Sequence, residues 1–380
     1  MIEVGGTVDE RFAPVAAVFE RNLESGADLG ASVCVLHRGV PVVDLWGGWA
    51  DEDRTRPWEP DTIVNVWSTT KTMTFLVALM LADRGELDLH APVARYWPEF
   101  AANGKEAIEV RHVLAHTAGL PGWSEPLRDA QLADWDLCVD RLAAQAPWWE
   151  DRTVSGYHAV TQGYLIGEVV RRITGTTIGS FFRSEVAEPL GADFLIGVPE
   201  ADESRVSLIV PPDDSGRDDP LGTGGDSEAL ALARRALASS GTSDSVPRER
   251  WWRAAEIPAA NGHGNARSVA LVQSVITGRG ETAGVRLLSE AGVERLFEVQ
   301  ALGIDRVLGV SMCFGMGYGL AGGVMPVGPR AAWWAGHGGS LVVCDLDTEL
   351  TVAYAMNRMM VGSEDLRGVE LAFTATACMV

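Results

Sequence analysis

Strand-like segments at both ends of the chain, with some two hundred residues of helix and loop between them, restrict the fold more than any other feature. Ala31–His37 and Val40–Trp46 read as two strands around Arg38-Gly39, a hairpin. Strand patterns then fade and return only late, at Phe314–Leu320, Ser340–Asp345 and Leu350–Met356, the last two joined by a turn at Leu346–Glu349. A sheet is stable only when its strands find one another, so the two ends must meet. The expectation is an α/β fold of the α+β type, with a mostly antiparallel sheet flanked by helices. Residues 1–85 and 265–380 would form this discontinuous lobe. Residues 86–264 would form an inserted, mainly helical lobe, and a cleft between two such lobes is a usual place for a site.

The helical segments are punctuated clearly. Phe12–Leu23 is amphipathic. After Ser68, Met73, Leu76, Val77, Met80 and Leu81 fall at helical spacing, with Gly85 where a C-terminal cap belongs. Tyr164–Thr174 is a further helix closed by Gly175, while residues 211–226 read as an acidic, Gly/Pro-rich loop.

Composition narrows the partners. With 47% hydrophobic residues among 380, the chain can bury a full core without disulfides or a structural metal. A net charge of −21 repels nucleic acid and anionic membrane surfaces, which speaks against both as partners. No apolar run reaches the roughly 18 residues needed to span a bilayer, and the first residues lack a basic segment followed by an apolar one. Five scattered cysteines without a C-x-x-C pair suit a reducing compartment, so a cytoplasmic location is expected.

The chemistry concentrates at Ser68-Thr69-Thr70-Lys71, where the apolar helix begins. A serine hydroxyl is a poor nucleophile until a base takes its proton. Residues i and i+3 share a helix face, so Lys71 can return to Ser68. Lysine acts as a base only when neutral, which burial can enforce. Alone, S-x-x-K is equally read as an N-cap serine followed by a solvated lysine.

Three further segments separate these readings: Leu114–Gly122 (LAHTAGLPG), Tyr157-His158-Ala159 with Gln162–Glu168 behind it, and Gly336-His337-Gly338-Gly339-Ser340 ahead of a strand. With Ser68–Lys71, and with AEIPAANGHGNARSVA at 255–270, they resemble the class C β-lactamase and penicillin-binding-protein superfamily of serine hydrolases. The likeness runs from about residue 10 to the end of the chain and is strongest to the family VIII carboxylesterases and related acyltransferases. The resemblance implies a β-lactamase/transpeptidase-like fold and no cofactor or metal. It makes Ser68 the acylated residue, Lys71 its partner and Tyr157 the proton relay. It places His337, Gly338, Gly339 and Ser340 at the third motif, with the N–H groups of Ser68 and Ser340 as the oxyanion hole. Several relatives carry extra glycines between the histidine and G-G-S, so a register shifted by a few residues is also open.

Two departures point to the substrate. Ala159 has no polar group for a substrate amide, and His337 stands where a β-lactamase uses lysine to hold a carboxylate. Both favour a small, uncharged carboxylic ester over a penicillin. Transfer of the acyl group to an alcohol or amine, weak β-lactamase or D-aminopeptidase-like activity, and a catalytically silent binding protein are the competing readings.

Among the remaining signals, His112 and His116 are spaced i, i+4 without the glutamate of H-E-x-x-H, and are read as structural. His263 is a candidate to line the pocket. Three tryptophan pairs stand out: Trp333–Trp334 is assigned to the core, while Trp148–Trp149 and Trp251–Trp252 are left between core and cleft.

Overall fold

The computed structural model describes residues 3–212, 228–360 and 365–379. The two ends of the chain do meet, in a nine-stranded antiparallel sheet. Its order runs from Val4–Val8 through Val40–Gly48, Gly30–His37, Leu350–Met356, Leu341–Asp345, Ala331–Ala335, Gly319–Leu320 and Ser311–Phe314 to Ala301–Ile304. The seam is the pairing of Gly30–His37 with Leu350–Met356, from Ala31 opposite Met356 to His37 opposite Leu350.

Gly30–Leu36 is buried at every position, which requires cover on both faces of the strand. Ala13–Glu24 and Arg367–Ala377 pack together against the sheet, and Ala266–Thr277 supplies a second layer. The hairpin expected around Arg38-Gly39 is present, with both residues at positive φ.

The segment Phe314–Leu320 differs from the expectation. It is no single strand but a reversal, in which Phe314 pairs with Gly319 across a turn containing Gly317 at φ +101°. The glycines that punctuate its apolar pattern supply the bend. Of the acidic loop expected at 211–226, residues 213–226 lie outside the described residues.

The helix after Ser68 is Lys71–Asp83, and every side chain from Lys71 to Ala82 is buried. Its spacing suggested one apolar face; in the fold it is a central helix enclosed on all sides, as its apolar composition requires. It packs against Thr161–Thr174, Ile178–Phe182 and Glu290–Leu296. Helix Thr161–Thr174 is stopped by Gly175 at φ +74°. A small second sheet sets Ile63–Asn65, just ahead of Ser68, beside Gly262–Gly264 and Val206–Ser207.

Candidate active site

Ser68 lies in a 3₁₀ turn, Trp67–Thr70, that runs directly into Lys71–Asp83. Side chains at i and i+3 nearly eclipse in 3₁₀ geometry. The Lys71 Nζ therefore comes to 3.2 Å from the Ser68 Oγ. Trp67, just before, sits at φ +46°, a left-handed conformation that costs a non-glycine residue about 1–2 kcal/mol. Its ring is held between those of Trp252, at 5.7 Å, and His337, at 5.4 Å.

Lys71 is wholly buried, and its Nζ also reaches the carbonyl oxygens of Ala159 at 2.6 Å and Ala259 at 2.8 Å. Burial holds the amine well below the ordinary lysine pKa, which favours the neutral form. A neutral amine has two hydrogens and one lone pair. With both hydrogens given to the carbonyls, the lone pair is left for the Ser68 hydroxyl.

Tyr157 closes the arrangement from the other side, its Oη donating to the Ser68 Oγ at 2.6 Å. Its ring lies 4.9 Å from the Lys71 Nζ. Burial is the main influence on the phenol and raises its pKa, so it stays protonated at neutral pH. The hydrogen bond with Ser68 opposes that shift without reversing it.

The phrase at 255–270 contributes through its backbone. The carbonyls of Pro258, Ala259 and Ala260 accept from Thr74, Lys71 and Asn65 respectively. Helix Thr161–Thr174 approaches so closely that a Cβ on Gly163 would lie 2.5 Å from the Ala259 nitrogen. No side-chain pattern signals a role for these carbonyls.

The third motif is corrected in register. Strand Ala331–Ala335 ends before His337, and Trp334, buried in the core as expected, lies beside Tyr157 at 6.1 Å between centroids. It also stacks on His116, at 5.7 Å and 23°. His337 lies in the following turn, half-exposed, with its Nε2 2.8 Å from the Asp244 Oδ1. Gly338 and Gly339 form that turn at φ +89° and +128°, and the Gly338 carbonyl accepts from Arg367 at 2.9 Å.

The Ser340 side chain has a structural task. It is buried, and its hydroxyl donates to the Val66 carbonyl at 2.8 Å and lies 3.0 Å from the Thr69 Oγ1. The hydroxyl thus braces the turn that carries Ser68. The Gly336 N–H donates to the Ser340 carbonyl at 2.7 Å. Successive N–H groups alternate along an extended chain, so the Ala335 N–H faces away from that partner. Gly336 admits no side chain, since a Cβ would lie 2.1 Å from the Ser340 Oγ and 2.3 Å from the Val66 oxygen.

The histidines hold the structure around the site. His263 does not line the pocket: it is wholly buried, its Nδ1 lies 2.7 Å from the Asn261 carbonyl, and its charged neighbours are Arg253, Glu203 and Arg250. His112 Nδ1 accepts from the Glu109 N–H, capping a short helix, whereas His116 Nδ1 accepts from the His158 N–H. The i, i+4 pair is thus divided between two tasks. Burial lowers the pKa of His158 to about 3 and that of His112 to about 4. No cluster of three metal-ligating side chains occurs among the described residues. Of the tryptophans left open, Trp149 and Trp252 are buried, while Trp148 and Trp251 are half-buried. Trp148 packs with Tyr157 against Ala233, Ala236 and Val307.

Residues 15–375 match the β-lactamase family model. The chain belongs to the β-lactamase family. Within it, the chain is 38% identical over 376 residues to the esterase/β-lactamase LipL of Mycobacterium tuberculosis, covering 94% of this chain and 83% of that protein. The crystal structure of a family VIII carboxylesterase superposes with a TM-score of 0.91 at 38% identity, over 99% of this chain and all of the other. A penicillin-binding-protein homologue from Caulobacter crescentus superposes with a TM-score of 0.89 at 34% identity, over 99% and 100%. The nine-stranded sheet and its helices are thus the β-lactamase-like fold.

Proposed function

We propose that this protein is a carboxylesterase that hydrolyses small, uncharged esters through an acyl-enzyme on Ser68. The observation that carries the reading is the Ser68 Oγ held between a buried Lys71 amine at 3.2 Å and a half-buried Tyr157 whose hydroxyl lies at 2.6 Å. Two similar proteins, LipL and the family VIII carboxylesterase, carry esterase in their names, which supports the substrate class.

Lys71, neutral at rest, takes the Ser68 proton as Oγ attacks the ester carbonyl. Negative charge then develops on the carbonyl oxygen. Backbone N–H groups are to receive it, that of Ser68 and one from the stretch Ala335–Ser340. When the tetrahedral adduct collapses, the alkoxide leaves with the Tyr157 proton, and the phenolate recovers one from the Lys71 ammonium. Water repeats the sequence on the acyl-enzyme, releasing the acid and restoring Ser68. Every proton is accounted for, passing only among Ser68, Lys71, Tyr157, the leaving alcohol and water.

The leaving-group side favours a neutral substrate. His337 is engaged by Asp244, and Ala159 offers its carbonyl to Lys71. Neither is disposed to hold a carboxylate or an amide as a β-lactam would require. The acidic composition and five unpaired thiols support a cytoplasmic enzyme acting on a small molecule, without a nucleic-acid or membrane partner. No helix of the described residues is long and apolar enough to cross a membrane.

The test compares kcat/KM for p-nitrophenyl butyrate and a chromogenic cephalosporin on one preparation, with Ser68→Ala beside it. The ester is expected to be the better substrate, and Ser68→Ala to carry no acyl group by intact mass. A cephalosporin value equal to or above the ester value would overturn the esterase reading. An acylated Ser68→Ala protein would overturn the nucleophile.

A further inference from the structure

Asp305 is a buried carboxylate that the reaction above does not use. It lies between strands Ala301–Ile304 and Ser311–Phe314, at the edge of the large sheet, and is wholly buried. Its Oδ1 accepts three backbone N–H groups: Tyr157 at 3.0 Å, Val307 at 2.9 Å and Leu308 at 2.9 Å. Its Oδ2 is buried with no hydrogen-bond partner among the described residues.

Two of those bonds are local and shape the connection between the strands. The third crosses 148 residues of sequence to the backbone of Tyr157. A second rung lies beside it, because the Arg306 N–H donates to the Ser155 carbonyl at 2.9 Å. The sheet edge therefore grips residues 155–157 by their backbone. The Tyr157 ring is held separately, edge-on to His116 at 4.9 Å and beside Trp334.

Shaping the turn takes only the bonds from Val307 and Leu308 and does not require a polar side chain wholly buried against the Tyr157 backbone. Burying such a group costs several kcal/mol unless hydrogen bonds offset it. Stability of the turn alone does not account for it. We propose that Asp305 is a positioning residue for the proton relay: it fixes the Tyr157 backbone so that the phenol meets the Ser68 Oγ at hydrogen-bonding distance. The proposal rests on the reading of Tyr157 as the relay. A misplacement of about 1 Å in such a contact costs on the order of 100-fold in rate.

The experiment is a four-way comparison of kcat and KM on p-nitrophenyl butyrate, using the wild type, Asp305→Ala, Tyr157→Phe and the double variant. Asp305→Ala is expected to lower kcat roughly 10- to 100-fold with KM changed less than about 3-fold. In the Tyr157→Phe background the same change should alter kcat less than about 2-fold, because the group it positions is gone. Asp305→Asn, which keeps an oxygen acceptor, should stay within about 3-fold of wild-type kcat. If Asp305→Ala does not fold, Asp305→Ser, whose hydroxyl is too short to hold all three N–H groups, replaces it in the same comparison. Equal losses in both backgrounds, or unchanged kcat in the single variant, would overturn the proposal and leave the relay reading intact. A Tyr157→Phe enzyme with normal kcat would overturn the relay reading, and the role of Asp305 with it.

Discussion

The neutrality of Lys71 can be measured as a slope in stability against pH. In the folded protein burial favours the unprotonated amine, whereas the unfolded chain binds a proton there up to a pKa near 10.4. Above the folded value and below the unfolded one, the unfolded state thus holds one more proton than the folded state. Stability must then rise with pH, by about 1.4 kcal/mol per unit for one proton. Replacing Lys71 by Met keeps an unbranched apolar stem and removes the titration. The variant also forfeits the hydrogen bonds to the Ala159 and Ala259 carbonyls, but that loss does not depend on pH. Every other titratable group is common to both proteins, so the difference between them isolates Lys71. Urea unfolding followed by tryptophan fluorescence at pH 7, 8 and 9 would measure it. The wild type is expected to gain stability relative to Lys71→Met as pH rises, with the slope reaching about 1.4 kcal/mol per unit once the pH is above the folded pKa. Activity should be lost at every pH. A difference that stays flat would mean that the amine is charged in both states, and the resting lone pair on which the mechanism depends would not exist.

Lys71→Ala and Tyr157→Phe should each lower kcat by several orders of magnitude, with the double variant little worse than the poorer single one, since groups acting as a unit are strongly non-additive. Multiplicative losses in a steady-state assay would separate the two residues. Ser340→Ala should destabilise the fold by about 1–3 kcal/mol, because the Val66 carbonyl loses a buried donor. It should also reduce kcat more than KM, as the turn carrying Ser68 loosens; unchanged stability and kcat would count against a brace at this position.

What the sequence discloses follows from which atoms do the work. Gly30–His37 and Leu350–Met356 were legible as short, nearly continuous apolar runs bounded by turns, the mark of strands buried on both faces, and the meeting of the two ends follows from the scarcity of strands between them. The reversal at Gly317 was hidden within an apolar run whose glycines read as strand irregularities. At the site, the spacing of Ser68 and Lys71 is a side-chain pattern and could be read. Trp334 was read rightly as core, but its contact with Tyr157 could not be read, because a core indole carries no mark of which ring it will meet.

The deeper limit lies with the backbone. Two carbonyls, of Ala159 and Ala259, absorb the hydrogens of the Lys71 amine and so decide where its lone pair points. Any residue type can supply a carbonyl, and only the fold determines which one arrives within 3 Å. The missing side chain of Ala159 reads as lost substrate recognition, yet its main chain is committed to the base. Ser340 shows the converse: its hydroxyl reaches the Val66 carbonyl because Gly336 has no Cβ to block the approach. A hydrolase site of this kind is therefore written twice. The reacting groups appear as side chains at fixed spacings, while the donors and acceptors that set their protonation emerge only once the two ends of the chain have closed the sheet.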